Sequence, residues 1–131
     1  MDIRQFQLDE IEHQFGMLTD RRAELYQRFK TWLAVAQSTL QLRRVWIFGS
    51  FVSGKTEPGD LDVLALFAEG FDPANLKADV GIWFDHEICR EINEIDLFFM
   101  TESTPKEAFD LIIETFRYNR TGQETLAEVT L

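Results

Sequence analysis

The chain has 131 residues, of which 45% are hydrophobic, including 12 phenylalanines and 3 tryptophans. This length and apolar content suit one compact core and are too small for two ordinary domains, so we predict a single domain over residues 1–131. The formal net charge of −10 argues against a broad surface for duplex nucleic acid. Nucleic acid could therefore bind only through a local basic patch.

The cysteine content and the N-terminal sequence bear on the cellular compartment. Cys89 is the single cysteine, which excludes an internal disulfide. The opening sequence MDIRQFQLDE has neither the basic nor the apolar region of a secretory signal, and no run reaches transmembrane length. We therefore expect a cytoplasmic protein without membrane association, in which Cys89 is a small core residue rather than a nucleophile.

The N-terminal residues 1–19 are polar with scattered apolar positions. The spacing of Leu8, Ile11 and Phe15 suits a short helix, but Gly16 interrupts it. We therefore predict an arm that is weakly ordered or packed on a partner.

A clearer helix begins near Thr19 or Asp20, either of which can cap it. Its charged face includes Arg21, Arg22 and Arg28, which we expect to be solvated; contact with an RNA or nucleotide phosphate is the less favoured interpretation. Its apolar positions recur at steps of three and four residues: Leu25, Phe29, Trp32, Leu33, Ala36 and Leu40. We expect this stripe to face the core, and Arg43 and Arg44 after it to be edge charges.

The strongest chemical signal lies in residues 44–67, RVWIFGSFVSGKTEPGDLDVLALF. Residues 45–48 are β-branched and aromatic and predict a buried strand that ends in a tight turn at Gly49-Ser50. Turn-forming residues keep the nine positions between Ser50 and Asp60 out of regular structure. A second strand then begins, and because residues two apart share a face, Asp60 and Asp62 would project from the same side.

Two carboxylates held this close repel each other unless a cation lies between them. Mg²⁺ prefers such oxygen ligands and completes its shell with water and substrate phosphates. Gly49 has no Cβ to keep the backbone away from a phosphate, and Ser50 can donate its hydroxyl or its N–H. Lys55 is the loop residue best placed to reach a phosphate, although loop lysines are commonly solvated. The alternative is an ordinary strand connection with solvated acids.

The next segment, residues 69–100, predicts short helices and a third strand. Pro73 suits the first turn of a helix that continues through residues 76–77, and residues 82–91 suggest a second short helix. Asp85, His86 and Glu87 are consecutive in that helix and point in different directions, so they cannot chelate one ion together, and we expect them at the surface. The third strand, residues 93–100, carries Asp96 on the face opposite Ile95 and Leu97.

The end of the chain predicts a helix opened by Thr104-Pro105 and an edge strand over residues 126–131. The helix has an apolar stripe of Ala108, Phe109, Leu111, Ile112 and Phe116. The predicted architecture is α/β (α+β), with a small mixed sheet of about four strands packed by helices.

The pattern "apolar, Gly49, Ser50, nine residues, Asp60, apolar, Asp62, apolar" resembles the signature of the DNA polymerase β-type nucleotidyltransferase superfamily. The resemblance covers residues 43–100, and the loop is also similar to that of short, functionally uncharacterised bacterial proteins of this kind. It implies a minimal nucleotidyltransferase fold in which Gly49 and Ser50 hold a triphosphate. Asp60 and Asp62 would bind divalent metal, with Asp96 as the usual third carboxylate.

The activity implied by this resemblance is transfer of a nucleoside monophosphate from a nucleoside triphosphate to a hydroxyl on RNA, protein or a small molecule. Two Mg²⁺ (or Mn²⁺) ions between Asp60, Asp62 and Asp96 would hold the nucleotide, and Asp96 would assist proton removal. The short members imply an alternative, an antitoxin-like interaction module with weak or no catalysis. Its partner would be a toxin-like protein or a second copy of the chain.

Overall fold

A five-stranded mixed sheet is the framework of the protein, in a computed structural model that describes residues 3–53, 57–119 and 121–131. The strands are β1 (Arg4–Phe6), β2 (Leu42–Phe48), β3 (Leu61–Phe67), β4 (Ile95–Thr101) and β5 (Ala127–Val129). The α-helices are α1 (Leu8–Ile11), α2 (Asp20–Ser38), α3 (Ala78–Gly81), α4 (His86–Asn93) and α5 (Lys106–Arg117). The α+β class is confirmed, with five strands instead of about four.

The order of strands across the sheet is β1-β5-β2-β3-β4. β2 is antiparallel to β3 and to β5, whereas β3–β4 and β1–β5 are parallel. The prediction that the C-terminal strand lies at an edge is wrong, because β5 is paired on both sides. The alternating sequence of β5 suits an edge strand or an inner strand. Its second neighbour, β1, comes from the N-terminal end of the chain and so could not be inferred from nearby residues.

The helix α2 covers one face of the sheet, as the apolar spacing predicts. The Thr19 hydroxyl caps it by accepting a hydrogen bond from the Arg22 N–H at 3.1 Å. Phe29 and Trp32 are fully buried, and the Trp32 indole donates to the Trp83 carbonyl at 3.1 Å. Leu40 is the exception in the stripe: it lies beyond the helix with a φ of 61° and is 83% exposed, because the chain has already turned toward β2.

The helix α5 covers the opposite face and packs on Trp46, Phe48 and Leu64. Ile113 and Arg117 are the buried residues of this helix, whereas Leu111, which we expected in the apolar stripe, is exposed. The buried side of α5 is therefore rotated slightly from the predicted one.

The N-terminal segment packs on its own core, so the prediction of a weakly ordered or partner-bound arm is wrong for the described residues from 3 onward. After α1, residues Glu12–Gly16 form a π-helical turn that buries Phe15, and Ile11 is fully buried before it. A Cβ on Gly16 would lie only 3.1 Å from Cγ of Tyr26. Gly16 thus allows this turn to lie directly against α2.

The connection between β3 and β4 contains two 3-10 turns and the short helices α3 and α4. Residues Pro73–Asn75 form one 3-10 turn instead of the helix predicted through residues 76–77. The helix predicted over residues 82–91 begins later, at α4, because the Asp85 carboxylate caps it by accepting from the Ile88 N–H at 3.0 Å. None of the helices in the described residues combines the length and apolarity needed to cross a bilayer.

Candidate functional site

Three carboxylates converge at the start of β3 and β4. Asp60, Asp62 and Asp96 each offer one oxygen atom, and these atoms lie within 4.8 Å of one another. Asp62 and Asp96 are register partners in the parallel β3–β4 pair, and Asp60 immediately precedes β3. The structure therefore brings together the three acidic residues singled out in the sequence, and their catalytic and metal-binding roles remain predictions.

The electrostatics of this cluster favour a bound cation. Burial, followed by the negative charges of Asp60 and Asp96 and a hydrogen bond with Asp96, raises the pKa of Asp62 to about 7. Without a cation, the cluster thus tends to retain a proton near neutral pH. An all-oxygen ligand set of partly buried carboxylates fits a hard divalent ion such as Mg²⁺ or Mn²⁺.

Gly49 begins the loop between β2 and β3 and lies against the acidic cluster. Its φ is +77°, a conformation that favours glycine, and a Cβ at this position would overlap Oδ2 of Asp62. The cause is the strand register, in which Phe48 pairs with Asp62. Contact of Gly49 and Ser50 with a phosphate stays a prediction, and Lys55 lies outside the described residues.

Arg22 holds the beginning of this loop. Its guanidinium is buried, with Nη1 donating to the carbonyls of Phe15 at 3.1 Å and Phe51 at 2.6 Å, and Nη2 to that of Ser50 at 3.4 Å. Burial lowers its pKa. The expectation that Arg22 is solvated was wrong. Its position three residues before Leu25 places it on the apolar stripe of α2, which is a signal that the sequence contains.

Arg21 holds the end of the same loop. Its Nε donates to the Pro58 carbonyl at 3.3 Å and its Nη2 to the Gly59 carbonyl at 2.6 Å. The same guanidinium forms an ion pair with Glu94 and thereby lowers the pKa of that carboxyl. Two consecutive arginines therefore hold both ends of the loop beside Asp60, and Arg21 is only partly solvated, with 21% of its side chain exposed.

Arg28 and Arg44 are likewise paired with carboxylates. Arg28 donates to the Ile92 carbonyl at 3.0 Å and lies 3.5 Å from the Glu94 carboxylate. Arg44 binds both oxygens of Glu128 and stacks over Trp46, 4.7 Å from the ring centroid.

His86 contacts the third carboxylate. Its Nδ1 lies 2.7 Å from the Leu97 carbonyl and its Nε2 lies 3.1 Å from Oδ1 of Asp96. A carbonyl can only accept, so Nδ1 carries a hydrogen, and a hydrogen bond between Nε2 and Asp96 needs one further proton on either group. His86 lies at the surface as expected, with 41% of its side chain exposed, but it also contacts the acidic cluster, which we did not predict. No sequence pattern marks this contact, which depends on where α4 begins beside the edge strand β4.

Asp85 and Cys89 lie on either side of His86 in the sequence. The Asp85 carboxylate caps α4. Among the described residues, Asp60, Asp62 and Asp96 form the group of acidic side chains that could hold a metal ion. Cys89 is fully buried, and burial raises the pKa of its thiol to about 11, which agrees with a core residue.

The comparison with known proteins gives a family and a distant structural similarity. The model of a family of unknown function, DUF6932, matches residues 2–129. No curated protein matches the chain. Among solved structures, a Sulfolobus solfataricus protein provisionally named a nucleotidyltransferase shares 19% identity at a TM-score of 0.39, with 89% of this chain and 91% of that chain covered. At this level of similarity, function has to be argued from the site itself.

Proposed function

This chain belongs to the family of unknown function DUF6932, and we propose that it is a metal-dependent nucleotidyltransferase with a minimal nucleotidyltransferase fold in a single domain. It would transfer a nucleoside monophosphate from a nucleoside triphosphate to a hydroxyl acceptor on RNA, protein or a small molecule. The observation that carries the proposal is the convergence of three carboxylate oxygens within 4.8 Å, beside the turn at Gly49.

Asp60, Asp62 and Asp96 would hold the Mg²⁺ or Mn²⁺. The raised pKa of Asp62 supports this assignment, because a cation can replace the proton that the like charges otherwise retain. A bound divalent ion supplies neutralisation of phosphate charge and acidifies an attacking hydroxyl.

The residues around the cluster would position the reacting groups. The acceptor oxygen forms a bond to the α phosphorus while the bond from that phosphorus to the bridging oxygen breaks, and pyrophosphate leaves with the electron pair. Asp96 would accept the hydroxyl proton, and His86, 3.1 Å from its Oδ1, would hold that carboxyl in place. Gly49, Ser50 and Lys55 would contact the triphosphate.

A second candidate is an antitoxin-like interaction module with weak or no catalysis. It is favoured by an apolar surface on α4 and the preceding turn, where Ile82 and Ile92 are 45% and 64% exposed. Together with Trp83 and Ile88 they line a small cavity of about 120 Å³. A toxin-like protein or a second copy of the chain would cover these side chains.

The proposed nucleotide site can be tested by isothermal titration of the protein with ATP, CTP, GTP and UTP in the presence of Mg²⁺ or Mn²⁺. We expect metal-dependent binding that is abolished in the double variant Asp60→Asn/Asp62→Asn. The variant Asp79→Asn, which changes an exposed acid on α3, is the control and should bind as the parent does. Absence of binding for all nucleotides with both metals would contradict the proposal and favour the interaction module.

A further inference from the structure

An exposed aromatic ring lies on the same sheet face as the acidic cluster. Phe98 follows Asp96 by two positions in β4, so both side chains project from one side of the sheet. Its register partner is Leu64, just as the partner of Asp96 is Asp62. Phe98 is 36% exposed, so part of its ring is accessible to a ligand.

Phe98 is supported from behind by two further rings. Its ring centroid lies 6.2 Å from that of Phe48 and 5.4 Å from that of Phe116, and those two rings are 4.5 Å apart. We call Phe48, Phe98 and Phe116 the aromatic platform. Phe48 is nearly buried and is the register partner of Asp62, so the platform adjoins the acidic cluster through both β2 and β4. The exposed ring of Phe98 is thus held in place by packing.

We propose that Phe98 stacks against the nucleobase of the nucleotide. This inference rests on the proposed function and adds a contact to the base, whereas the acidic cluster and the loop would bind the triphosphate. Two residues along a strand advance about 6.6 Å. The acidic cluster and Phe98 are therefore separated by a distance comparable to the single ribose that joins a base to its α phosphate. An uncharged aromatic base also adds no negative charge to a protein whose net charge is already −10.

The surroundings of Phe98 indicate little discrimination among bases. His86 is the polar side chain in ring contact with Phe98, at 5.1 Å between centroids, and both of its nitrogens are already engaged with Leu97 and Asp96. Stacking alone tolerates every base, because each has a π face. Purines should gain more than pyrimidines, since they cover more of the ring.

The test compares inorganic tripolyphosphate, which has no base, with ATP and CTP, each titrated in Mg²⁺. The parent protein should bind ATP about tenfold more tightly than tripolyphosphate, a typical gain for stacking one base. The variant Phe98→Leu, which keeps apolar bulk, should lose this gain while tripolyphosphate binding is unchanged. Phe98→Trp should restore it.

The matched control is Phe99→Leu, since Phe99 is the next residue of β4, is also 36% exposed, and packs against Phe67 and Phe71. Phe99→Leu should leave the advantage of ATP intact.

The outcomes separate the inference from the function on which it rests. Equal binding of ATP and tripolyphosphate, or an ATP advantage that survives Phe98→Leu, would overturn the stacking site and leave the nucleotidyltransferase proposal standing. Failure of tripolyphosphate and all nucleotides to bind with metal would overturn both. Dissociation of a dimer by Phe98→Leu, measured by sedimentation, would instead assign Phe98 to a protein contact and overturn the stacking site.

Discussion

The Asp62 carboxylate lies so close to the Cα of Gly49 that a Cβ on residue 49 would overlap its Oδ2. The side chain that is central to the acidic cluster and the residue that begins the loop are therefore constrained by each other. Any larger residue at position 49 has to displace the carboxylate or the turn. Stability and metal binding should consequently fail together when Gly49 is changed.

Gly49→Ala should lower the free energy of unfolding by about 2–4 kcal/mol, the sum of a left-handed backbone and a steric overlap, and should abolish Mn²⁺ binding. Gly70→Ala is the control, because Gly70 has a φ of +83° and open space around its Cα. It should cost only about 1 kcal/mol and leave Mn²⁺ binding unchanged. Urea unfolding and metal titration measure both effects, and similar losses in the two variants would contradict the steric explanation.

The raised pKa of Asp62 predicts a pH dependence of stability in metal-free protein. Its carboxyl titrates at about 7 in the folded state against an ordinary value of 3.8, so the folded protein binds this proton more tightly than the unfolded chain. This contribution to stability is complete below about pH 4 and is lost as the pH rises through about 7. Thermal unfolding in EDTA across this range should show the decline.

Asp62→Asn removes the ionisation that causes this decline. Near pH 8 and without metal, the variant should be more stable than the parent by about 1–2 kcal/mol, after allowance for solvent screening. Added Mn²⁺ should stabilise the parent and leave Asp62→Asn unaffected. Asp79→Asn should follow the parent in both respects, and an identical pH profile for parent and Asp62→Asn would refute the assignment.

The two loop arginines predict different losses. Arg22→Met should cost about 2–4 kcal/mol of stability, because it leaves the buried carbonyls of Phe15 and Phe51 without their donor. Arg21→Met removes a partly exposed group and should cost about 1 kcal/mol or less, yet it should weaken Mn²⁺ binding several-fold by freeing residues 58–59 next to Asp60. Urea unfolding and metal titration of both variants distinguish these effects. Unchanged Mn²⁺ affinity in Arg21→Met would show that the loop end does not position the cluster.

Cys89 should resist alkylation in the native protein. The thiol is fully buried and its pKa is raised to about 11, so the reactive thiolate is scarce near pH 8. Iodoacetamide should react at least about a hundredfold more slowly with native than with urea-unfolded protein, as followed by mass spectrometry. Rates within a few-fold of each other would mean that α4 opens readily.

The acidic cluster could be predicted because its determinants are local or repeat along one strand. The alternation around Asp62, the turn residues before it and the flanking apolar runs each act over a few positions. Asp96 was predicted to belong to the cluster only from the resemblance to a superfamily. The pairing of β3 with β4 cannot be recognised from the sequence of either strand. The register that makes Asp62 and Asp96 partners is a tertiary feature.

The supporting residues could not be predicted in the same way. Arg22 donates hydrogen bonds to backbone carbonyls that are distant in the sequence. Every residue has a backbone carbonyl, so the residue type does not reveal which one accepts. The place of Arg22 on the apolar stripe of α2 was the available clue. The direction of His86 within its helix predicts a surface residue, but its contact with Asp96 depends on how that helix approaches β4. The strand β1 contains three residues, too few to show a period.

The placement of β5 between β1 and β2 has a consequence for the order of assembly. β2, β3 and β4 follow one another in the sequence and are neighbours in the sheet, so the half that carries the acidic cluster can form from nearby segments. β1 pairs with β5, and this contact closes a loop that contains nearly the whole chain. We therefore expect the β1–β5 half to form last and to exchange its amide hydrogens first, while the half that carries the cluster is still protected.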